Sequence, residues 1–317
     1  MAEILYIFQH SDKLWGNRLF THRKPLCASM TLDPNATRIS LDTTARFIRG
    51  APWRLSLLHD VSDYRLIWTT KGQALAALNG RKRGIGVHCA IIVPSGTLFS
   101  LDLGRTGAGL VLALDPAWVT EAKLPDAPQV LQLRSVQEQA EITGALDAIH
   151  KEAQSDQPFH EDACRAYAAL LSVSLRRRID ALPEPQRMSG AQRLVNAFSA
   201  LVRKHFADVM TMADFARILG VTPTHLSRSC KDCLGLTAAD ILAQRSLYAA
   251  RDLIETTDTP LKDIADQLGF GSAAYFSRFI QNHTGRSPRD LRNGSKQPGQ
   301  HHSLTAHALL QSSRKSS

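Results

Sequence analysis

The chain has 317 residues, 44% of them hydrophobic, and 38 basic against 29 acidic side chains leave a net charge of +9. That length exceeds one small domain, the apolar fraction suits a folded core, and the charge favours polyanionic partners. No run approaches the roughly 18 apolar residues of a membrane span, and Met1-Ala-Glu-Ile-Leu-Tyr6 lacks the basic and apolar regions of a signal peptide, so a cytoplasmic chain without a membrane partner is expected. The first fifty residues are weakly patterned. Phe20-Thr-His-Arg-Lys-Pro25 and Ala45-Arg-Phe-Ile-Arg-Gly50 read as an arm or extra strand that would cover a pocket.

From Trp53 to Leu114 the texture is β. Short alternating or apolar runs cover Trp53–Leu58, Tyr64–Thr69, Ala74–Leu78, Val87–Val93, Leu98–Leu103 and Gly109–Leu114, and Asn79-Gly80 is a hairpin signal between two of them. Strands at this spacing predict a small barrel or jelly roll. Such barrels can hold a metal on a His-x-His pair with a later histidine. Here Val61 stands two residues after His59, and Phe99 follows the Pro94-Ser95-Gly96 turn where that later histidine would be. The ligand set is missing, so no metal, cofactor or catalytic residue is expected. His59 then reads as a strand-end polar residue and His88 as a satisfied core histidine. A small-molecule effector is the better occupant, with Arg54, His59, Arg65, Trp68 and His88 as candidate contacts placed on the strands. Cations beside an aromatic face would suit a carboxylate-bearing aromatic molecule.

Helical periodicity takes over from about Ser135 to Ile149 and from Asp162 to Ile179. Leu182-Pro-Glu-Pro-Gln-Arg-Met-Ser-Gly190 is a polar, proline-containing break. The five cysteines, Cys27, Cys89, Cys164, Cys230 and Cys233, are an odd set without framework spacing. Cys230-Lys-Asp-Cys233 has no further metal ligands nearby, and Cys230 reads as core filling.

Two copies of one pattern, 49 to 50 residues apart, dominate the last third. Asp214-Phe-Ala-Arg-Ile-Leu-Gly-Val221 matches Asp263-Ile-Ala-Asp-Gln-Leu-Gly-Phe270, and Leu226-Ser-Arg228 matches Phe276-Ser-Arg278. The copies close with Gly235-x-Thr237-x-x-Asp240-Ile241 and Gly285-x-Ser287-x-x-Asp290-Leu291. This is the grammar of a helix-turn-helix: Ala216 and Ala265 allow a close helix crossing, and Gly220 and Gly269 end the first helix with positive φ. Thr222-Pro223 and Ser272 begin the second helix as caps, and Leu226, Cys230, Phe276 and Ile280 face inward. The outward set is Thr224, His225, Ser227 and Arg228 in the first copy, and Ala273, Ala274, Tyr275, Ser277 and Arg278, with Ser272, in the second. These residue types can read base edges, meet a thymine methyl or accept phosphate at the helix start. Ala238–Glu255 reads as one helix connecting the two units, which would hold the reading heads about 34 Å apart on one side of a duplex.

The segment 192–292, above all Pro260–Phe279 and Thr284-Gly-Arg-Ser-Pro288, resembles the arabinose-regulator (AraC/XylS) family of bacterial transcription factors. Cys230 and Cys233 stand where the family carries bulkier residues. The resemblance implies a bipartite DNA-binding domain with Thr224, Ser227, Arg228, Ala273, Ala274 and Arg278 facing bases. It also implies a cupin-like sensor, a homodimer through the central helices, an activator that meets RNA polymerase, and double-stranded operator DNA as the main partner. Residues 55–116 resemble the family's regulators of hydroxylated aromatic-acid catabolism. The expected fold is α+β: an N-terminal cupin-like β-barrel with following helices, and a C-terminal all-α domain of two helix-turn-helix units joined by a connecting helix. The expected boundaries are 1–134 for the effector-sensing domain and 135–181 for a helical dimerisation region. A linker over 182–191 leads to the DNA-binding domain at 192–292, followed by a disordered tail at 293–317 with one short helix over Leu304–Leu310. The alternatives are a ligand-independent DNA-binding regulator and a cupin enzyme fused to a DNA-binding domain.

Overall fold

A computed structural model describes residues 39–183 and 187–295. The Phe20–Pro25 segment, Cys27, part of the linker and the expected Leu304–Leu310 helix lie outside the described residues. The architecture is α+β, with two facing antiparallel sheets followed by helices.

The strands are β1 (Ile39–Thr43), β2 (His59–Asp60), β3 (Tyr64–Lys71), β4 (Ala74–Leu78), β5 (Arg81–Ile85), β6 (Cys89–Val93), β7 (Leu98–Asp102), β8 (Ala108–Leu114) and β9 (Gln129–Gln132). One sheet runs β1-β8-β3-β6-β9 and the other β2-β7-β4-β5, the layout of a flattened barrel. Side chains alternate across the first sheet. Ile67, Ile91 and Val111 point between the sheets with Leu55, Phe99 and Leu101, whereas Tyr64, Leu66, Trp68, Ile92 and Leu112 point the other way. That second face is covered by α4 (Val136–Ala153) and α5 (His160–Asp180), through Ile142, Leu146, Ile149, Leu171 and Leu175. Each buried leucine or isoleucine there contributes roughly 1.5–3 kcal/mol relative to exposure. Helix α4 begins at Ser135, which forms a capping box with Glu138.

Two expected strands are altered, and Ala45–Gly50, expected as an arm or extra strand, is instead a short helix ending in a left-handed Arg49. Trp53–Leu58 is not extended: after α1 (Thr44–Ile48), residues Trp53–Ser56 form the short helix α2, where Leu57 N–H bonds the Trp53 carbonyl at 3.1 Å. Pro52 supplies φ −53 ahead of the turn, and Trp53 and Leu55 are buried on two different sides, which mimics strand alternation. Strand β6 starts at Cys89 rather than Val87, because His88 takes φ 56 in a turn. The Asn79-Gly80 hairpin is present, with φ 51 and φ 65 as a type I′ turn requires.

After α3 (Pro116–Glu121) and the central pair, α6 (Gly190–His205) opens the C-terminal unit. It continues with α7 (Met212–Ile218), α8 (Pro223–Leu234), α9 (Ala238–Thr256), α10 (Leu261–Gln267), α11 (Ala273–Thr284) and α12 (Pro288–Ser295). One core gathers Phe198, Phe215, Leu226, Ile241, Ile254 and Phe276, and it also takes in Leu58 and Ala77 from the β unit. The two units therefore share packed surface, with α9 lying against β2.

Candidate nucleic-acid interface

The two reading heads are built alike. Thr211 caps α7 in a reciprocal box with Asp214, whose carboxyl the Thr211 hydroxyl and backbone N–H, with Arg217, hold down at about 2. Helix α10 starts instead from Pro260, without a side-chain cap. In both heads a glycine with positive φ, 67 at Gly220 and 75 at Gly269, reverses the chain. The next residue closes the turn: Val221 N–H bonds the Ala216 carbonyl at 3.0 Å and Phe270 N–H bonds that of Ala265 at 2.9 Å. Ala216 and Ala265 are fully buried at the crossings, where a larger side chain would push the helices apart.

The second helices start on side-chain caps. Thr222 Oγ1 accepts from His225 N–H at 3.2 Å, with Pro223 at the first helical position, and Ser272 Oγ accepts from Tyr275 N–H at 3.1 Å. Such a cap contributes about 1 kcal/mol. Leu226, Cys230, Phe276 and Ile280 are buried as their spacing predicts. Burial pushes the Cys230 thiol up to about 12, which keeps it protonated and inert inside the core.

The outward faces match the expected set. Thr224, His225 and Arg228 on α8 are exposed and Ser227 is half-buried, while Ser272, Ala273, Ala274, Tyr275, Ser277 and Arg278 at α11 are all exposed. Tyr275 leans on Phe270, with ring centroids 5.8 Å apart, so its hydroxyl end is presented by a braced ring. Among the described residues neither Arg228 nor Arg278 is tied up in an ion pair, which leaves both guanidinium forks free for a bidentate acceptor. Helix α9 touches both heads. Its 19 residues span about 28 Å at 1.5 Å per residue.

The five effector candidates divide into two groups. Arg54, His59 and Arg65 converge where the β unit meets α9. Trp68 and His88 lie on the other side, 5.8 Å apart, Trp68 facing α4 and α5. Arg54 is on the short helix α2, not a strand. The two histidines also exchange the roles expected of them: His59 is wholly buried and His88 half-buried in its turn. His59 stacks on Tyr248 of α9 at 4.2 Å with planes 2° apart. Its Nδ1 lies 2.8 Å from the Leu57 carbonyl and its Nε2 lies 3.4 Å from Arg65 Nη1. Nδ1–H therefore donates to Leu57 and Nε2 accepts from Arg65, the arrangement of a neutral ring. Burial, with Arg65 and Arg245 close by, holds its pKa well below the ordinary value.

Around that stack Asp60 pairs with Arg245 at 2.5 Å and Arg54 with Asp252 at 3.7 Å, and Leu58 N–H donates to Gln244 Oε1 at 3.3 Å. Trp53 meets Tyr248 edge-on at 5.3 Å and lies under Arg251 at 4.6 Å. Asp60, Arg245, Tyr248 and Asp252 were absent from the candidate set. Arg245, Tyr248 and Asp252 recur at i, i+3 and i+7, which puts them on one face of α9 (a polar stripe opposite its apolar one). Among the described residues no group of three or more His, Cys, Asp or Glu could hold a metal ion, and no helix is long and apolar enough to cross a membrane.

Residues 215–294 match a family model described as a helix-turn-helix domain. The chain is 32% identical over 100 residues to the HTH-type transcriptional activator RhaS of Enterobacter sp. (strain 638), covering 32% of this chain and 36% of that protein. It is 28% identical over 102 residues to the bifunctional transcriptional activator/DNA repair enzyme AdaA of Bacillus subtilis (strain 168), covering 32% of this chain and 48% of that one. The match thus spans between a third and a half of these relatives. Among solved structures, ToxT from Vibrio cholerae aligns over 81% of this chain and 98% of its own, with 12% identity and a TM-score of 0.40.

Proposed function

We propose that the chain carries a DNA-binding domain of the arabinose-regulator (AraC/XylS) type and is a sequence-specific transcription activator whose helices α8 and α11 read adjacent major-groove segments. The observation that carries this reading is the pair of exposed, unpaired arginines, Arg228 and Arg278, at equivalent places on two capped helices that share one packed core. Phosphate contacts would supply much of the affinity, and the two outward faces the specificity. The full chain should enrich one sequence from random duplexes. Radical footprints on that duplex should show two protected segments on one face, about 34 Å apart. Enrichment of nothing over the random pool would sink the reading.

The remaining parts take roles around that reader. Residues 1–134 form the sensor, 135–181 the dimerising and connecting helices, 182–191 the linker and 192–292 the reader, acting as a homodimer that contacts RNA polymerase in the cytoplasm. Leu170 and Val173, exposed on α5, offer the apolar surface such a dimer would cover. The chain is a regulator without catalysis of its own. The effector is a carboxylate-bearing aromatic molecule meeting Arg54, His59 and Arg65; Trp68 and His88 lie too far round the sheet to join them. A ligand acts only through unequal affinity for two arrangements, and the polar contact with α9 supplies two, docked and released. A ligand-independent regulator is the second reading, favoured by the aliphatic filling between the sheets. Calorimetry of the full chain with a panel of aromatic acids separates them, because only the first predicts heat of binding and a shift in DNA affinity.

A further inference from the structure

The sensor half carries a basic strand that none of the roles above uses. Strand β5 is the outer strand of its sheet and opens with Arg81-Lys82-Arg83, of which Arg81 is half-buried and the other two exposed. Among the described residues none of the three is in an ion pair. The hairpin before it is held to the reader. Asn196 of α6 donates to Asn79 Oδ1 at 2.8 Å, and a Cβ placed on Gly80, whose φ is 65, would come within 2.5 Å of Asn196 Oδ1 and displace that amide.

The strand also packs beside α8, the first reading helix. The Lys82 ammonium lies 3.7 Å from where a Cβ on Gly235 would be, at the C-cap of that helix. Thr224, Arg228, Lys231 and position 235 stand at i, i+4, i+7 and i+11, which at 3.6 residues per turn keeps them in a stripe about 60° wide. Lys82 therefore stands at the far end of the stripe that starts with the base-facing residues. Eleven residues of helix cover about 16 Å, more than the roughly 12 Å width of the major groove. If α8 runs across the groove with Thr224 and Arg228 inside it, its far end would reach the sugar-phosphate wall. Lys82 stands there with Lys231 one turn back and Arg81 near Cys233, with Asp232 the acid beside them, and Arg83 follows Lys82 along the exposed strand.

We infer that the Arg81–Arg83 strand of the sensor domain is a third DNA contact, gripping duplex phosphates that flank the segment read by α8. The inference rests on the reading of α8 as a recognition helix. It adds affinity without sequence preference, since phosphates carry no base identity. It also makes that affinity depend on the sensor remaining docked. The competing explanation is that cations on an outer strand merely keep it from pairing with other chains.

The test uses the full chain with Lys82→Ala and Arg83→Ala combined, both at exposed positions, on the duplex enriched by the wild type and on a random duplex of equal length. Affinity should fall on the order of tenfold at about 0.1 M salt, equally for both duplexes, and the log–log salt slope should become shallower by about 2. Lys82→Arg with Arg83→Lys should keep the wild-type slope. Wild-type affinity and slope in the alanine variant would overturn the inference and leave the strand an edge guard. A loss confined to the enriched duplex would also overturn it, since that is base reading. A wild-type chain that binds neither duplex would instead remove the reading of α8, and this contact with it.

Discussion

Arg228 and Arg278 stand free at matching positions, and each would make a bidentate contact with one guanine. Replacing either with alanine should cost roughly 1–3 kcal/mol of operator binding and relax preference at that base pair alone. Binding to a panel of single-substituted duplexes checks it, and an unchanged preference profile would reject the assignment. The two turn glycines separate strain from sterics. Both need positive φ, but a Cβ at Gly220 meets open space, while one at Gly269 would lie 2.1 Å from the Ala207 carbonyl oxygen. Gly220→Ala should cost about 1 kcal/mol of stability and Gly269→Ala several-fold more, measured by denaturant midpoints. His59 gives a pH dependence. Its folded pKa is depressed, so its contribution is complete above the unfolded value of 6.5 and is lost as pH falls through 6.5 towards the folded one. Stability should drop by up to about 1.4 kcal/mol per pH unit there, and His59→Gln, which keeps an acceptor for Arg65, should flatten the drop.

At the scale of elements, α9 has two opposed faces. Leu247, Ala250 and Ile254 join the C-terminal core, while Arg245, Tyr248 and Asp252 meet Asp60, His59 and Arg54. Arg245 and Asp60 are nearly closed off from solvent, so Arg245→Ala leaves a buried carboxylate unpaired. The loss should be about 3–5 kcal/mol of stability, with much of it recovered when Asp60→Asn is added. Purely additive losses would show that the pair is not coupled. The reader helices were legible from sequence because their signals are local: Thr222-Pro223, Ser272 and the two turn glycines each act within one or two turns. The strands were legible where one face is buried by helices and the other by the opposite sheet. Trp53–Leu58 was misread because Trp53 and Leu55 are buried by different partners, one of them Tyr248, 195 positions along the chain. For the same reason the Arg245 stripe carried no meaning until Asp60 was placed beside it. A lone polar face on a helix reads as solvated surface unless its partner is known.

For the molecule as a whole, the charge of +9 is less telling than where cations are left unpaired. Arg54 and Arg245 are matched by carboxylates at the sensor–reader contact, whereas Arg228, Arg278, Lys82 and Arg83 are not. Paired cations bridge the two halves, and unpaired ones face outward, where the proposed DNA contacts would form. One further property follows from α9 serving as both connector and docking surface. A continuous helix keeps its length whatever binds elsewhere, so the spacer it provides between α8 and α11 is set by the chain itself. An effector bound in the proposed sensor would then change how firmly the protein grips its site, while the ruler by which that site is measured would stay the same.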